Sequence, residues 1–170
     1  MKIRRPRLQD GFTLVELLIV VVILGVLAAI AIPQFSASTD DSKAAALDAT
    51  LSNLRTAIEL YYQQHGSYPS AVAAGGSFGA IDTEAAFVSQ LVKFTSAAGA
   101  VSNTKDATYK YGPYLKKSTI PADPIKNVAT VEVINLGSLG MTATSGDPGG
   151  WKFDNKTGQL IVNIAAYQSR

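Results

Sequence analysis

The sequence has no cysteine and a single histidine among 170 residues. Without thiols there is no disulfide framework, no cysteine nucleophile and no Cys-ligated zinc site. A lone imidazole, His65, excludes two-histidine metal motifs. Charge is scarce as well: 16% of the residues are Asp, Glu, Lys or Arg, against about a quarter in an ordinary globular chain. With 47% hydrophobic residues, long disorder is excluded and apolar content must be concentrated somewhere. No Gly-x-Ser-x-Gly, P-loop or dinucleotide fingerprint occurs. His65 sits beside Gly66 at a predicted helix end, where a histidine favours the last carbonyls. The chain does not read as an enzyme.

What charge there is lies unevenly. Residues 1–11 (MKIRRPRLQDG) hold Lys2, Arg4, Arg5 and Arg7 against Asp10. The rest of the chain carries eleven basic and twelve acidic side chains. A nearly neutral body lacks the many cationic phosphate contacts that sequence-independent nucleic-acid binding needs. Lys105, Lys110, Lys116, Lys117 and Lys126 do lie near Tyr109, Tyr111 and Tyr114. Basic and aromatic residues together can hold single strands, but solvated lysines beside packed tyrosines are the expectation here, and nucleic acid is not an expected partner.

The apolar content follows the basic segment. From Leu17 to Ile32 no residue has a polar side chain, and from Phe12 to Ile32 only Thr13 and Glu16 do. As a helix those 21 residues reach roughly 30 Å, enough to cross a bilayer. The flanking positive charge puts the N-terminus on the cytoplasmic side and the remainder outside. A secretory signal peptide fits poorly, because Ala28-Ala29-Ile30-Ala31 is followed by Pro33 and a long helical pattern. A plain single-pass anchor leaves Glu16 unexplained. An ionised acid at the centre of a membrane helix costs about 2.5–3.5 kcal/mol, and less near an end. No basic side chain lies between Leu8 and Ser42, so a partner for Glu16 must come from elsewhere. A free α-amino group made by cutting the chain nearby would serve.

Gly11-Phe12-Thr13-Leu14-Val15-Glu16-Leu17, with its basic leader and apolar run, resembles the prepilin processing motif of type IV pilins and type II secretion pseudopilins. The resemblance implies cleavage by a membrane peptidase after Gly11 and methylation of the new N-terminal Phe12. It implies an assembly role for Glu16, whose carboxylate would neutralise the Phe12 amine of a neighbouring subunit or of its own; a buried pair costs far less than two lone buried charges. Gly25 and Pro33 both weaken a helix, and the resemblance implies a stretch between them that unwinds on packing in a filament. The match covers about residues 2–65. Many type IV pilins close a C-terminal loop with a disulfide, which this chain cannot form. Some cysteine-free pseudopilins use calcium there, and Asp123, Asp147 and Asp154 are the nearby acids. With no EF-hand-like spacing, solvated turn aspartates are the expectation and no cofactor is required.

Beyond Pro33 the helical pattern continues. Leu47, Leu51, Leu54, Ile58 and Tyr61 form one stripe at helical spacing, alanines raise the propensity, and Gly66 before Ser67-Tyr68-Pro69 marks a stop. Thr39-Asp40-Asp41-Ser42 is a polar patch suited to a bend. Residues 70–81 read as a loop, Asp82 or Thr83 as the cap of a short helix with Phe87, Leu91 and Phe94 on one face, and residues 96–107 as another loop. Ala129–Leu136 reads as a strand, residues 137–150 as a long loop, and Trp151–Phe153 with Gln159–Ile164 as a hairpin.

The fold predicted is α+β: a long N-terminal helix with a membrane-spanning first half, its second half packed on a small antiparallel sheet. The divisions are 1–11, a cleaved leader; 12–35, the transmembrane and assembly half; and 36–170, a globular head. The expected function is a structural subunit that assembles with copies of itself into a pilus-like fibre or secretion pseudopilus. A prepilin peptidase, an inner-membrane assembly platform and the lipid bilayer are its implied partners. The expected location is the cytoplasmic membrane of a bacterium or archaeon, with the head outside. A membrane-anchored periplasmic or extracellular binding protein and a minor pilin of DNA uptake remain open alternatives.

Overall fold

The computed structural model describes residues 11–170, apart from the side chains of residues 31–33 and 35–38. The basic leader 1–10 and the Pro33 ring lie outside the described residues. Helix α1 runs Leu14–His65, through the polar patch at residues 39–42. The chain divides into two compact units, Met1–Ser42 and Lys43–Arg170.

In the first unit the described apolar side chains are all exposed, from Phe12 at 77% to Ile30 at 62%. Among the described residues no helix is long and apolar enough to cross a membrane. The apolar stretch whose side chains are described, residues 14–30, covers roughly 26 Å at helical rise, short of a hydrocarbon core of about 30 Å. The remainder of the sequence run falls on residues 31 and 32.

The second unit is built on the stripe. Leu47, Leu51, Leu54, Ile58 and Tyr61 are each at most 2% exposed. They share one core with Phe87, Leu91, Trp151, Phe153, Leu160 and Val162. The helix stops where expected. Gly66 takes φ +68°, a conformation open to glycine without a Cβ penalty, and its N–H caps Tyr62 O at 2.8 Å.

Helix α2 spans Glu84–Val92. Thr83 caps it by accepting from the Ala86 N–H at 3.2 Å, and Phe87 and Leu91 are fully buried. Phe94 falls beyond the helix, in β1 (Phe94–Thr95), which pairs antiparallel with β2 (Val101–Ser102). β2 lies where a loop was expected, and β1 takes Phe94, which was expected on the helix face. Two residues per strand carry no readable alternation, so the pairing is set by tertiary contacts. Buried Gln90 supplies one of them: it accepts from Ser70 N–H at 2.6 Å and donates to Val72 O and Gly99 O.

The main sheet has order β3-β4-β5, from Val131–Ile134, Trp151–Asp154 and Leu160–Val162. The hairpin β4–β5 is antiparallel as expected, but β3 and β4 run parallel, with Val131 opposite Trp151. The fold is α+β with a mixed rather than wholly antiparallel sheet. The reason lies in the connection: residues 135–150 are long enough to carry the chain back along β3 before β4 starts. Gly150 makes the re-entry. Its φ is +71°, and a Cβ there would stand 2.4 Å from Thr130 O.

Candidate functional site

The processing segment begins the described chain. Thr13 and Glu16 cap α1 reciprocally. The Glu16 N–H donates to Thr13 Oγ1 at 3.2 Å, and Glu16 Oε2 accepts from the Thr13 N–H at 2.9 Å and from its hydroxyl at 2.6 Å. This is a capping box, in which two otherwise orphaned backbone donors are satisfied. Its acid also sits in the first turn, where the helix dipole favours negative charge. The Thr-x-x-Glu spacing before an apolar run was readable in the sequence, so Thr13 is a residue that reasoning from charge burial alone missed. Oε2 carries both bonds from Thr13, which leaves Oε1 outside the box.

Gly11 and Phe12 lie immediately before this turn, both exposed. A new amine at Phe12 would stand one residue before the cap. Gly25 lies within α1, where an added Cβ would meet nothing within 4 Å; Pro33 is in the same helix.

The three candidate calcium acids serve the backbone separately. Asp123 is fully buried. Its Oδ1 accepts from the N–H groups of Ile125 and Lys126 at 3.0 and 2.6 Å, and its Oδ2 from those of Val128 and Gly150 at 3.0 and 2.9 Å. Asp154, also buried, accepts from Gly137 N–H, Lys156 N–H and the Thr157 hydroxyl. Asp147 accepts from Ala165 N–H at 2.8 Å. Among the described residues no three acidic or imidazole groups gather to hold an ion. A hard cation needs six or more oxygens, and Asp123 and Asp154, with both oxygens committed to protein donors, do not fit one.

His65 does not serve the last carbonyls of α1. Its Nε2 lies 2.8 Å from Tyr114 Oη and 3.0 Å from Thr95 Oγ1, and its Nδ1 lies 3.3 Å from Ala97 O. Tyr114 donates to Gln64 Oε1 at 2.8 Å. Desolvation pushes the imidazole below the ordinary histidine range, against a smaller upward pull from the Ala97 carbonyl. Tyr61 and Tyr111 pack on the same ring. This knot ties the end of α1 to β1 and the 111–114 turn. Tyr114 thus points inward, Lys110 lies over the Tyr111 ring, and Lys105, Lys116 and Lys117 are exposed. Tyr111 and Tyr114, near these lysines, take up packing roles.

A family model for the prokaryotic N-terminal methylation motif matches residues 6–32. The chain is 39% identical over 64 residues to the type II secretion system core protein G of Pseudomonas aeruginosa, covering 38% of this chain and 45% of the relative. It is 32% identical over 102 residues to a fimbrial protein of Neisseria meningitidis, covering 56% of this chain and 60% of the relative. The chain therefore spans about half the length of these relatives. With the core protein G of Aeromonas hydrophila the identity is 25% over 156 residues, covering 86% of this chain and 95% of the relative. No solved structure matches the chain significantly. With a capping box at the start of its apolar helix, the chain carries the prokaryotic N-terminal methylation motif and is similar both to type II secretion core protein G and to type IV pilins.

Proposed function

We propose that this chain is a structural subunit, not an enzyme, which is cut after Gly11, methylated at Phe12 and assembled with copies of itself into a pilus-like fibre or secretion pseudopilus. The observation that carries the reading is the match of residues 6–32 to the methylation motif, seated on an exposed peptide bond before a capped helix. In this reading residues 12–35 are the membrane and assembly half and residues 36–170 the head. The precursor sits in the cytoplasmic membrane with its head outside. The apolar side chains of the first unit leave lipid for equally apolar neighbours. A peptidase and an assembly platform in the membrane act on it, since the sequence holds no nucleotide motif to drive extraction. Gly25 to Pro33 is the stretch that unwinds.

Glu16 then has two tasks. Oε2 closes the capping box, and Oε1 faces the Phe12 amine of a neighbour or of the same chain. The cap fixes the carboxylate before any partner arrives, and a preorganised acid loses less on pairing. The test is the intact mass of protein recovered from the native membrane and from the sheared surface fraction. A mass for residues 12–170 plus one methyl group supports the reading, and a mass for the uncut chain overturns it. Recovery from the sheared fraction points to a surface fibre, and recovery from membranes alone to a short pseudopilus. Glu16→Ala is expected to be processed normally and to form fewer or shorter filaments; normal filaments would remove Glu16 from assembly.

A further inference from the structure

Glu132, Lys152 and Asn163 meet on one face of the main sheet. Glu132 on β3 and Lys152 on β4 are register partners. Asn163 stands two residues beyond Ile161, the β5 partner of Lys152, and strand alternation puts it on the same face. Glu132 Oε1 is 3.5 Å from Lys152 Nζ, while its Oε2 accepts from Asn163 Nδ2 at 3.0 Å. Asn163 Oδ1 accepts from the Thr144 N–H at 2.7 Å. Lys152 donates to the Thr144 hydroxyl at 2.9 Å, and that hydroxyl donates to Glu132. Asn163 is 2% exposed and the Lys152 side chain 14%. Burial pushes the Glu132 carboxyl up, but the bonds from Thr144 and Asn163 and the Lys152 charge bring it net below its ordinary value.

A salt bridge alone needs only the lysine and the glutamate. The asparagine adds an electrophile, and the groups around it are those required for aminolysis of an amide. A primary amine shares Glu132 and Thr144 with it, a backbone N–H polarises its carbonyl oxygen, and one carboxylate reaches both the attacking and the leaving nitrogen. We infer that Lys152 and Asn163 are joined by an isopeptide bond that the chain forms itself, with Glu132 as the proton carrier.

The step balances without an outside reagent. Lys152 gives one proton to Glu132, and the neutral Nζ attacks Asn163 Cγ while the Thr144 N–H steadies the developing oxyanion. Glu132 returns its proton to Nδ2, the Cγ–Nδ2 bond breaks and ammonia leaves. Glu132 then takes a second proton from Nζ and passes it to water, leaving the amide N–H between the two side chains. Nothing is oxidised or reduced. The bond forms once per molecule. It closes residues 152–163 into a covalent ring, a cross-link available to a chain without cysteine.

The experiment is intact-mass measurement of the purified full chain, followed by peptide fragmentation, after prolonged incubation at neutral pH. The wild type is expected to weigh one ammonia less than its residues require, with a branched peptide linking Lys152 to Asn163. Glu132→Gln and Lys152→Arg are expected at full mass. A wild type at full mass overturns the inference, whatever the variants do. So does an ammonia loss that persists in Lys152→Arg, which assigns it to a succinimide at Asn163.

Discussion

Replacing Asp123 by asparagine tests whether this buried acid is a structural hub or a metal ligand. The side chain accepts four backbone N–H groups, two on each oxygen. An asparagine keeps one oxygen and turns an amino group toward the other two donors. Those two N–H groups, with Asp123 fully buried, are left without an acceptor. Each orphaned buried donor costs about 1–3 kcal/mol, so Asp123→Asn should lose about 2–6 kcal/mol, a large part of an ordinary domain's 5–15 kcal/mol. At about 2–4 °C per kcal/mol for a chain of this size, Tm falls by roughly 4–24 °C. Trp151 is a built-in reporter. It is the sole tryptophan, it is 1% exposed, and its indole N–H donates to Pro121 O at 2.8 Å, beside the turn that Asp123 organises. Urea and thermal unfolding followed by its fluorescence measure the loss directly. Asp147→Asn is the control, since its carboxylate accepts from one backbone N–H at a part-exposed position, and it should shift stability by less than about 1 kcal/mol. Calcium should leave the wild-type Tm unchanged. A cation bound at a hundred times its Kd would add about 2.7 kcal/mol, which the same assay reads easily. A loss below about 1 kcal/mol in Asp123→Asn, or a calcium-dependent rise in Tm that this variant abolishes, would refute the assignment.

Three further outcomes follow from the core. Tyr61 Oη is buried without a hydrogen-bond partner among the described residues, so Tyr61→Phe removes a desolvated hydroxyl and should hold or raise stability by about 1 kcal/mol in urea unfolding; a loss larger than that would show that the hydroxyl is satisfied. Leu54 is 1% exposed in the main cluster, and Leu54→Ala should cost about 2–5 kcal/mol, whereas Leu60→Ala, at a position 44% exposed, should cost well under half of that. The folded-state pKa of His65 is depressed by desolvation. The unfolded chain therefore takes up the proton first, and stability present above an unfolded value of about 6.5 is lost as pH falls from there through the lower folded value. Stability measured between about pH 7 and 5 should decline in the wild type and flatten in His65→Gln; parallel curves would remove His65 as the cause.

How much of this could be read from residues alone depended on the range over which each signal acts. The stripe Leu47–Tyr61 was legible because helical periodicity over four turns admits one buried face, and the core takes those five positions together with Ala57. The α2 cap was legible to within one residue, as Asp82 or Thr83, and the β4–β5 hairpin in Asp154-Asn155-Lys156-Thr157-Gly158, because caps and turns are decided within a few residues. The parallel direction of β3 and β4 was not legible. It depends on the path of residues 135–150, which the Gly-rich composition leaves open. Asp123 looked like a solvated turn residue because its acceptors are used by Gly150 as well as by neighbours, and a contact 27 residues away has no local mark.

Glu16 shows the same division within a single side chain. Charge in an apolar run was the louder signal, and it pointed to an amine freed at Phe12, on a neighbouring chain or on its own. The quieter Thr-x-x-Glu spacing pointed inward, to the helix's own first turn, and that is the contact the structure holds. The two readings are separable by threonine. Thr13→Val keeps the size and the acid, and removes the hydroxyl that both caps the Glu16 N–H and donates to its carboxylate. Loss of an N-cap side chain costs about 0.5–2 kcal/mol, small beside an unpaired charge moved into lipid, about 2.5–3.5 kcal/mol at mid-bilayer and less near an end. If Glu16 acts through the Phe12 amine, Thr13→Val should lower filament yield only modestly while Glu16→Ala lowers it severely, with both chains cut and methylated normally. Equal and severe losses from the two substitutions would mean that the capped first turn, and not the charge pair, is what assembly requires of Glu16.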